Sequence, residues 1–282
     1  MVSKHLRPLV LLCLLPACSI PGDSAWSDLH VNGFGAVFPV GLDATANDLS
    51  VADSSGNGIA FDGDLTMEKN REVGFLYGAR AGIAPFEVSA SAFGYNGALN
   101  SNVIGGATFA GQPLPIAEDL AARTDMDLAI TKLMLSVDVL NTPVGRVAVM
   151  AGVDFIEFDR FVITATETVS VLGVPLISAG DAQNVLINQS VPMPMLGVRG
   201  DLQLPFGLRL GGEISGLSAN IDAADVTYLD LDINVNYEPM DNLELVVGYH
   251  RIDIDVNGSI DDATVDVEML IDGPYFGVSL YW

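Results

Sequence analysis

The stretch Val226-Thr-Tyr-Leu-Asp-Leu-Asp-Ile-Asn-Val-Asn-Tyr237 alternates with period two. Leu229, Leu231, Ile233, Val235 and Tyr237 share one face, and Asp230, Asp232, Asn234 and Asn236 share the other. Successive side chains of an extended strand point to opposite sides, so this pattern specifies a β-strand with one apolar and one polar face. It recurs in Leu196–Leu204, where Arg199, Asp201 and Gln203 oppose Val198, Leu202 and Leu204. It recurs again in Leu208–Ile214, where Arg209 and Glu213 oppose Leu210 and Ile214. Helical periodicity is almost absent after Trp26. Half of the 282 residues are hydrophobic and 17% are charged, which excludes a disordered chain. Yet beyond the first twenty residues no apolar run approaches the ~18–20 residues of a membrane-crossing helix. Two all-β architectures remain: a soluble sandwich with the apolar faces in its core, or a transmembrane barrel with those faces against lipid.

The N-terminus favours export. Lys4 and Arg7 precede the apolar run Leu9-Val-Leu-Leu-Cys-Leu-Leu15, too short for an anchor and typical of a secretory signal over residues 1–17. Leu15-Pro-Ala-Cys18 resembles the lipobox of bacterial lipoproteins, with Pro16 as a departure, and makes Cys18 a candidate lipidation site. Cleavage by the ordinary signal peptidase after Ala17-Cys-Ser19 is the other reading. Cys13 leaves with the signal and no cysteine follows Cys18, so no internal disulfide is expected in the mature chain. Loss of Lys4 and Arg7 leaves 36 Asp and Glu against 10 Lys and Arg, a formal charge of −26. Nucleic acid is thereby excluded as a partner.

After a short linker over 18–26, residues 27–282 read as one domain of ten strands, near 27–38, 72–83, 86–96, 125–140, 146–159, 194–204, 207–217, 226–237, 242–256 and 264–282. Their connections alternate in length. Short links fall at Ala84-Pro85, 141–145, Pro205-Phe206 and 238–242, and longer ones span about 40–71, 97–124, 160–193, 218–225 and 257–263. Even strand number with tight turns at one end and long loops at the other is the pattern of an antiparallel up-and-down transmembrane β-barrel, with the turns in the periplasm. Trp26, Phe86, Phe206, Tyr237 and Trp282 gather near the short-turn end, as an interfacial aromatic girdle does. The chain ends Tyr275-Phe-Gly-Val-Ser-Leu-Tyr-Trp282, which resembles the C-terminal β-signal of outer-membrane proteins, with Gly277, Leu280 and Trp282 at the matching positions. The resemblance implies outer-membrane lipid and the barrel-assembly machinery as partners.

Four further landmarks are Ala107-Thr-Phe-Ala-Gly-Gln112, Asp127-Leu with Leu135-Ser-Val-Asp-Val-Leu-Asn141, Val247-Gly-Tyr-His-Arg251 and Asp272-Gly-Pro-Tyr-Phe-Gly277. In layout over most of 27–282 the chain resembles a family of small proteobacterial outer-membrane proteins of unassigned activity. That resemblance implies the barrel and supplies no catalytic residue. Two long loops also share G-x-P-L-x-x-A-x-D, at Gly111–Asp119 and Gly173–Asp181. The repeat reads as two turns of similar chemistry, or as a pair of flaps over the barrel mouth.

With the apolar faces toward lipid, the inward set is Arg80, Glu87, Lys132, Asp138, Asp154, Arg199, Asp201, Arg209, Glu213, Asp230, Asp232, Glu244 and His250. In a barrel of ~8–10 strands, side chains can fill the interior, so these charges read first as a paired plug. A cation-preferring water path along Asp230, Asp232 and Glu244 is the alternative. Asp253-Ile-Asp-Val-Asn-Gly-Ser-Ile-Asp261 matches the first nine positions of an EF-hand loop, making Asp253, Asp255, Asn257 and Asp261 candidate Ca2+ ligands. Thr264 stands where the bidentate Glu is needed, and an acidic hairpin turning at Asn257-Gly258 is the competing reading. His250, toward the outer half of its strand with acids nearby, is the one candidate for an outer-membrane hydrolase. No nucleophile or zinc motif accompanies it. The functional expectation is a non-enzymatic outer-membrane barrel acting as a small channel, ligand-binding or structural surface protein. Passage of a small apolar solute, a secreted β-sandwich or lipocalin-like binder, and the His250 hydrolase are the alternatives.

Overall fold

The computed structural model describes residues 30–282 except 53–58, 105–107, 110–111, 114–118, 172–173, 186–188, 222 and 261–262. The signal segment, Cys18 and Trp26 lie outside the described residues. The long strands are β1 (His30–Ala52), β2 (Ile59–Ile83), β3 (Phe86–Val103), β4 (Leu120–Thr142), β5 (Gly145–Ala165), β6 (Gln189–Leu204), β7 (Leu208–Ile221), β8 (Ala223–Met240), β9 (Leu243–Ile260) and β10 (Ala263–Tyr281). Each pairs antiparallel with its neighbours in sequence, and β1 pairs with both β2 and β10. The sheet therefore closes on itself, and the sandwich alternative is gone.

Four tight turns and both ends of the described chain lie at one end of the barrel. The Pro205–Gly207 turn takes left-handed backbone at Phe206 and Gly207, with φ of 67° and 71°. Glycine adopts this conformation freely and phenylalanine does not. Closure of β6 onto β7 holds Phe206 there, 91% exposed, beside the exposed Phe86, Tyr237 and Trp282. These rings form the periplasmic aromatic girdle.

A tilted strand crosses the bilayer with about 9–11 residues, yet β1 has 23 and β2 has 25. The surplus is an extracellular storey, and the change is written in each strand as an exchange of faces. On β9 the outward Leu245, Val247 and Tyr249 are exposed and apolar while the inward Glu244 and His250 are polar. Further up, Arg251 and Asp255 point outward and Ile252 and Ile254 are buried. On β8 the inward face runs from Asp232 and Asp230 up to Tyr228 and Val226. The reason is the solvent: lipid surrounds the lower storey and water the upper one, so the apolar face turns from outside to inside where the membrane ends.

This corrects the expected loops at 40–71, 97–124 and 160–193, much of which is strand. Phe38, Val40, Leu42, Ala44 and Ala46 continue the alternation of β1 inward. They join Leu65, Leu99, Leu128 and Ile163, all 0% exposed, in an apolar core that fills the upper lumen. The segment after β5 folds back over that core. Val169 and Ile177, from a small hairpin of Val169–Val171 with Val174–Ile177, are buried in it. The Thr166 hydroxyl and the Glu167 carboxylate hold the Ala121 backbone at 2.9 and 3.0 Å, and the Gly180 amide donates to the Ala165 carbonyl at 2.8 Å.

Candidate functional site

The site that the alternation builds is the lower lumen. Strand parity points Glu87 of β3, Lys132 of β4, Arg146 and Asp154 of β5, Arg199 and Asp201 of β6, Arg209 and Glu213 of β7, Asp230 and Asp232 of β8, and Glu244 and His250 of β9 inward, where they meet.

One run of contacts crosses most of the barrel. Arg146 binds Asp138 through Nε and Glu87 through Nη1, the latter at 2.8 Å. Glu87 also accepts from Arg199 Nη1, and His30 Nε2 lies 3.0 Å from its other oxygen. Arg199 donates from Nε and Nη2 to one Glu213 oxygen at 2.9 and 2.8 Å. Lys132 Nζ then reaches the other Glu213 oxygen at 2.8 Å, Asp230 at 2.8 Å and Ser215 Oγ at 2.9 Å. His250 Nε2 closes the run at 2.9 Å from Asp230. A second group sits near the girdle: Arg209 donates to Glu244 at 2.6 Å and to the Tyr281 hydroxyl, which itself donates to Glu244 at 2.6 Å, and Asp201 stands 3.8 Å away. Asp232 accepts from Tyr275 at 3.0 Å and Asn234 at 2.6 Å. Arg80 lies among Glu213, Glu87 and Asp201. Asp154 is fully buried, directly across from Lys132 in the β4–β5 ladder, with neither carboxylate oxygen hydrogen-bonded.

The described inward charges of this storey are the fixed cations Arg80, Lys132, Arg146, Arg199 and Arg209 against eight acids. Between them remains a cavity of about 100 Å³, bordered by Arg80, Lys132, Glu213, Asp232 and His250. That volume holds a few waters, each taking ~30 Å³. Burying so many charges is tolerable because nearly every one has an opposite charge or a hydrogen-bond donor in contact.

Arg146 and His30 are the residues that sequence reading missed. Arg146 follows the tight turn at once and was masked by it, although it shares parity with Asp154 on the same strand. His30 lies within the expected first strand, 27–38, where the inward positions that follow it, Asn32, Phe34, Ala36 and Phe38, carry no charge to mark the face. Gly277 pairs with Ala36 and Val246, Leu280 faces lipid, and the Trp282 amide donates to the Val31 carbonyl at 2.9 Å.

Two expectations are corrected. β9 runs unbroken through Asn257 and Gly258 to Ile260, so neither the hairpin turn nor the EF-hand coil forms there. On an extended strand, alternate side chains stand about 7 Å apart. Asp253, Asp255 and Asn257 therefore lie along the outer wall, Asp253 gripping Arg251 at 2.9 Å, where they cannot close around one ion. Asp261 is outside the described residues. Among the described residues no group of three His, Cys, Asp or Glu side chains is arranged to hold a metal. His250, expected toward the outer half of its strand, stands at midstrand. It is 8% exposed, with its ring stacked on Phe38 at 5.7 Å.

No protein-family model matches the sequence, and no curated protein matches it. Among solved structures, the outer-membrane protease OmpT of Escherichia coli aligns with a TM-score of 0.55 at 13% identity, over 90% of this chain and 97% of its own. The translocator domain of the autotransporter NalP of Neisseria meningitidis aligns at 0.40 and 13% identity, over 92% and 90% of the two chains. The outer membrane protein AlkL aligns at 0.36 and 12%, over 95% and 97%. The likeness to OmpT is one of fold. A closed ten-stranded antiparallel barrel with an apolar outer belt and a periplasmic girdle is an outer-membrane β-barrel, and the bacterial outer membrane is its location.

Proposed function

We propose that this barrel is a sealed, non-enzymatic surface scaffold: it anchors a rigid extracellular storey in the outer membrane and conducts no ions. The observation that carries the reading is the run of charges from Asp138 through Arg146, Glu87, Arg199, Glu213, Lys132 and Asp230 to His250, which ties opposite walls together across the lumen. The apolar core above it, capped by Val169 and Ile177, supports the same reading from the outer side. A hydrolytic histidine must meet its substrate. The burial of His250 beneath that core speaks against such a role, and so the fold shared with a protease transfers no activity.

Planar-bilayer recording tests the proposal. Wild-type protein whose insertion is verified by heat-modifiable mobility is expected to give no steady conductance above the bare membrane. A stable open level would overturn the reading and return the lumen to the water path along Asp230, Asp232 and Glu244.

A further inference from the structure

The barrel wall is not hydrogen-bonded all the way up. β5 and β6 pair continuously from Gln189 to Leu202, and β7 pairs with β8 along its whole length to Ile221. Between β6 and β7, however, the ladder stops at Leu196 and Gly216. Above that point β6 residues 189–195 and β7 residues 217–221 have no pairing with each other.

Two residues explain the stop. The Gln203 amide donates to Val144, on the β5 side. Since β5–β6 carries no register shift, odd-numbered amides of β6 face β5 and even-numbered ones face β7. Pro192 and Pro194 fall on the β7 side, so the two donors that would extend the ladder do not exist.

The surroundings of this seam are apolar on the outer side of the wall and largely apolar on the inner side. Outside, Pro194, Leu196 and Ile214 are exposed at the top of the lipid-facing belt, level with Val153 and Phe155 of β5. Inside, Met193 and Met195 are each 1% exposed and Tyr228 is equally buried. One charge of the plug stands at this height, the buried Asp154 across the β5–β6 ladder from Met193, and the others begin below, at Arg199 and Glu213. Methionine is unbranched and flexible, and a wall lined by it can shift to admit a slender apolar guest. An unpaired strand edge is costly against hydrocarbon, and loss of the two proline donors lowers that cost on the β6 side.

We infer that the β6–β7 seam is a lateral slot for the acyl chain of an outer-leaflet lipid, entered from the membrane, lined by Met193 and Met195, kept from pairing by Pro192 and Pro194, and bounded by Asp154 within and the rest of the charge network below. The position argues for this occupant. The lower end of the seam lies within the apolar belt, where lipid is the neighbour. Its upper end reaches Ser190 and Asn220, with Asn220 donating to Asp225 at 2.9 Å, a polar edge suited to a headgroup.

The test uses the full barrel in vesicles of phosphatidylethanolamine and phosphatidylglycerol doped with a phospholipid carrying a diazirine on one acyl chain. Photolabelling is expected at the inward Met193, Met195, Leu217 and Tyr228 as well as at the belt residues Leu196, Val198 and Ile214. In the Pro192→Val/Pro194→Val double variant the amides of Ser218 and Asn220 should become protected from hydrogen exchange. Inner labelling should fall at least fivefold while belt labelling stays unchanged. Heat-modifiable mobility confirms that the variant is folded. Label confined to the belt in wild type would overturn the slot. So would inner labelling that survives protection of those amides, and so would amides that stay unprotected in the variant, because the prolines would then not be what holds the seam open.

Discussion

The lower and upper storeys are made from the same ten strands and differ in which face is apolar. Below, the outward face meets lipid, and the inward face, barred from adding to that belt, carries polar groups that must satisfy one another. Above, water lies outside, and the interior is filled like the core of a soluble protein, by Leu42, Leu65, Leu99, Leu128 and Met126. The wall follows the same division. The three interruptions of the ladder, between β1 and β10 over residues 38–40 and 273–275, between β2 and β3 over residues 68–74 and 95–100, and between β6 and β7 above Leu196, begin at the top of the belt. In hydrocarbon a backbone group has no partner but the next strand, whereas above it water serves. The medium outside the wall thus sets both the filling of the lumen and the tolerance for gaps.

The largest effect should come from removing one carboxylate of the lower network. Glu87→Ala leaves Arg146 and Arg199 facing each other without their shared acceptor. A buried charge stripped of its partner costs about 3–5 kcal/mol. A core truncation above, Leu99→Ala, costs a comparable ~2–5 kcal/mol through the cavity it leaves. Urea denaturation should register both losses, but bilayer recording should separate them: only the lower change is expected to admit ions. Conductance from the upper variant alone would mean that the apolar core, and not the charge network, is the seal.

Next in size is one substitution made at two heights on the same face of the same strand. Val37 and Asp43 both point outward from β1 and both are exposed. Val37→Arg places a charge in hydrocarbon, at about 2–4 kcal/mol near the midplane. Asp43→Arg replaces one solvated charge with another and should stay within about 0.5 kcal/mol. Equal costs in lipid-reconstituted protein would place the membrane boundary above Asp43 and erase the division between storeys.

How much of this was legible follows from what alternation can encode. Ten strands, their order and the short turns were readable because turn chemistry and period-two pattern agree at Ala84-Pro85 and Pro205–Gly207. The inward set from Arg80 to His250 was readable because charged residues on a strand whose other face is apolar have one place to go. The upper storey was lost because a face is normally assumed to keep its character. On β8 the change runs from Asp232 and Asp230 to Tyr228 and Val226 within one recognised strand, but on β1 the inward apolar run Val40, Leu42, Ala44 and Ala46 has no acidic counterpart on its own face and looked like loop. The EF-hand match failed for a related reason: spacing in sequence was read as a coil where the chain is extended. The seam was written in Pro192 and Pro194, but their meaning depends on which neighbour each amide faces, and that is a property of register.

A smaller effect should test how tightly the two storeys join. Gly152 sits between Met134 of β4 and Met195 of β6 in the ladder. A Cβ built there would lie 2.0 Å from the Leu133 carbonyl oxygen and 2.5 Å from the Met134 sulfur. The sulfur can move and the carbonyl cannot, so Gly152→Ala should cost about 1–3 kcal/mol as an overpacked site. Met134→Leu, which conserves volume, should cost under ~1.5 kcal/mol. If the alanine variant matches wild type in urea, the wall at this height is loose enough to shift.

The smallest effect compares one chemical pair in two settings. Arg199 and Arg251 each grip a carboxylate through two nitrogens, Glu213 at 2.9 and 2.8 Å and Asp253 at 2.9 and 3.1 Å. The side chain of Arg199 is 4% exposed and that of Arg251 is 45% exposed. Water and salt screen the outer pair, so Arg251→Ala should cost no more than ~0.2–1 kcal/mol at low ionic strength, and less as salt rises past the point where the Debye length is ~10 Å. The inner pair has no such competitor, and the cost of Arg199→Ala should be insensitive to salt. Denaturation midpoints of the two variants at low and high salt decide the matter. A salt-dependent loss at Arg199 would mean that water and ions already reach the lower lumen, and the contrast between a sealed storey and a solvated rim would have to be redrawn at that residue.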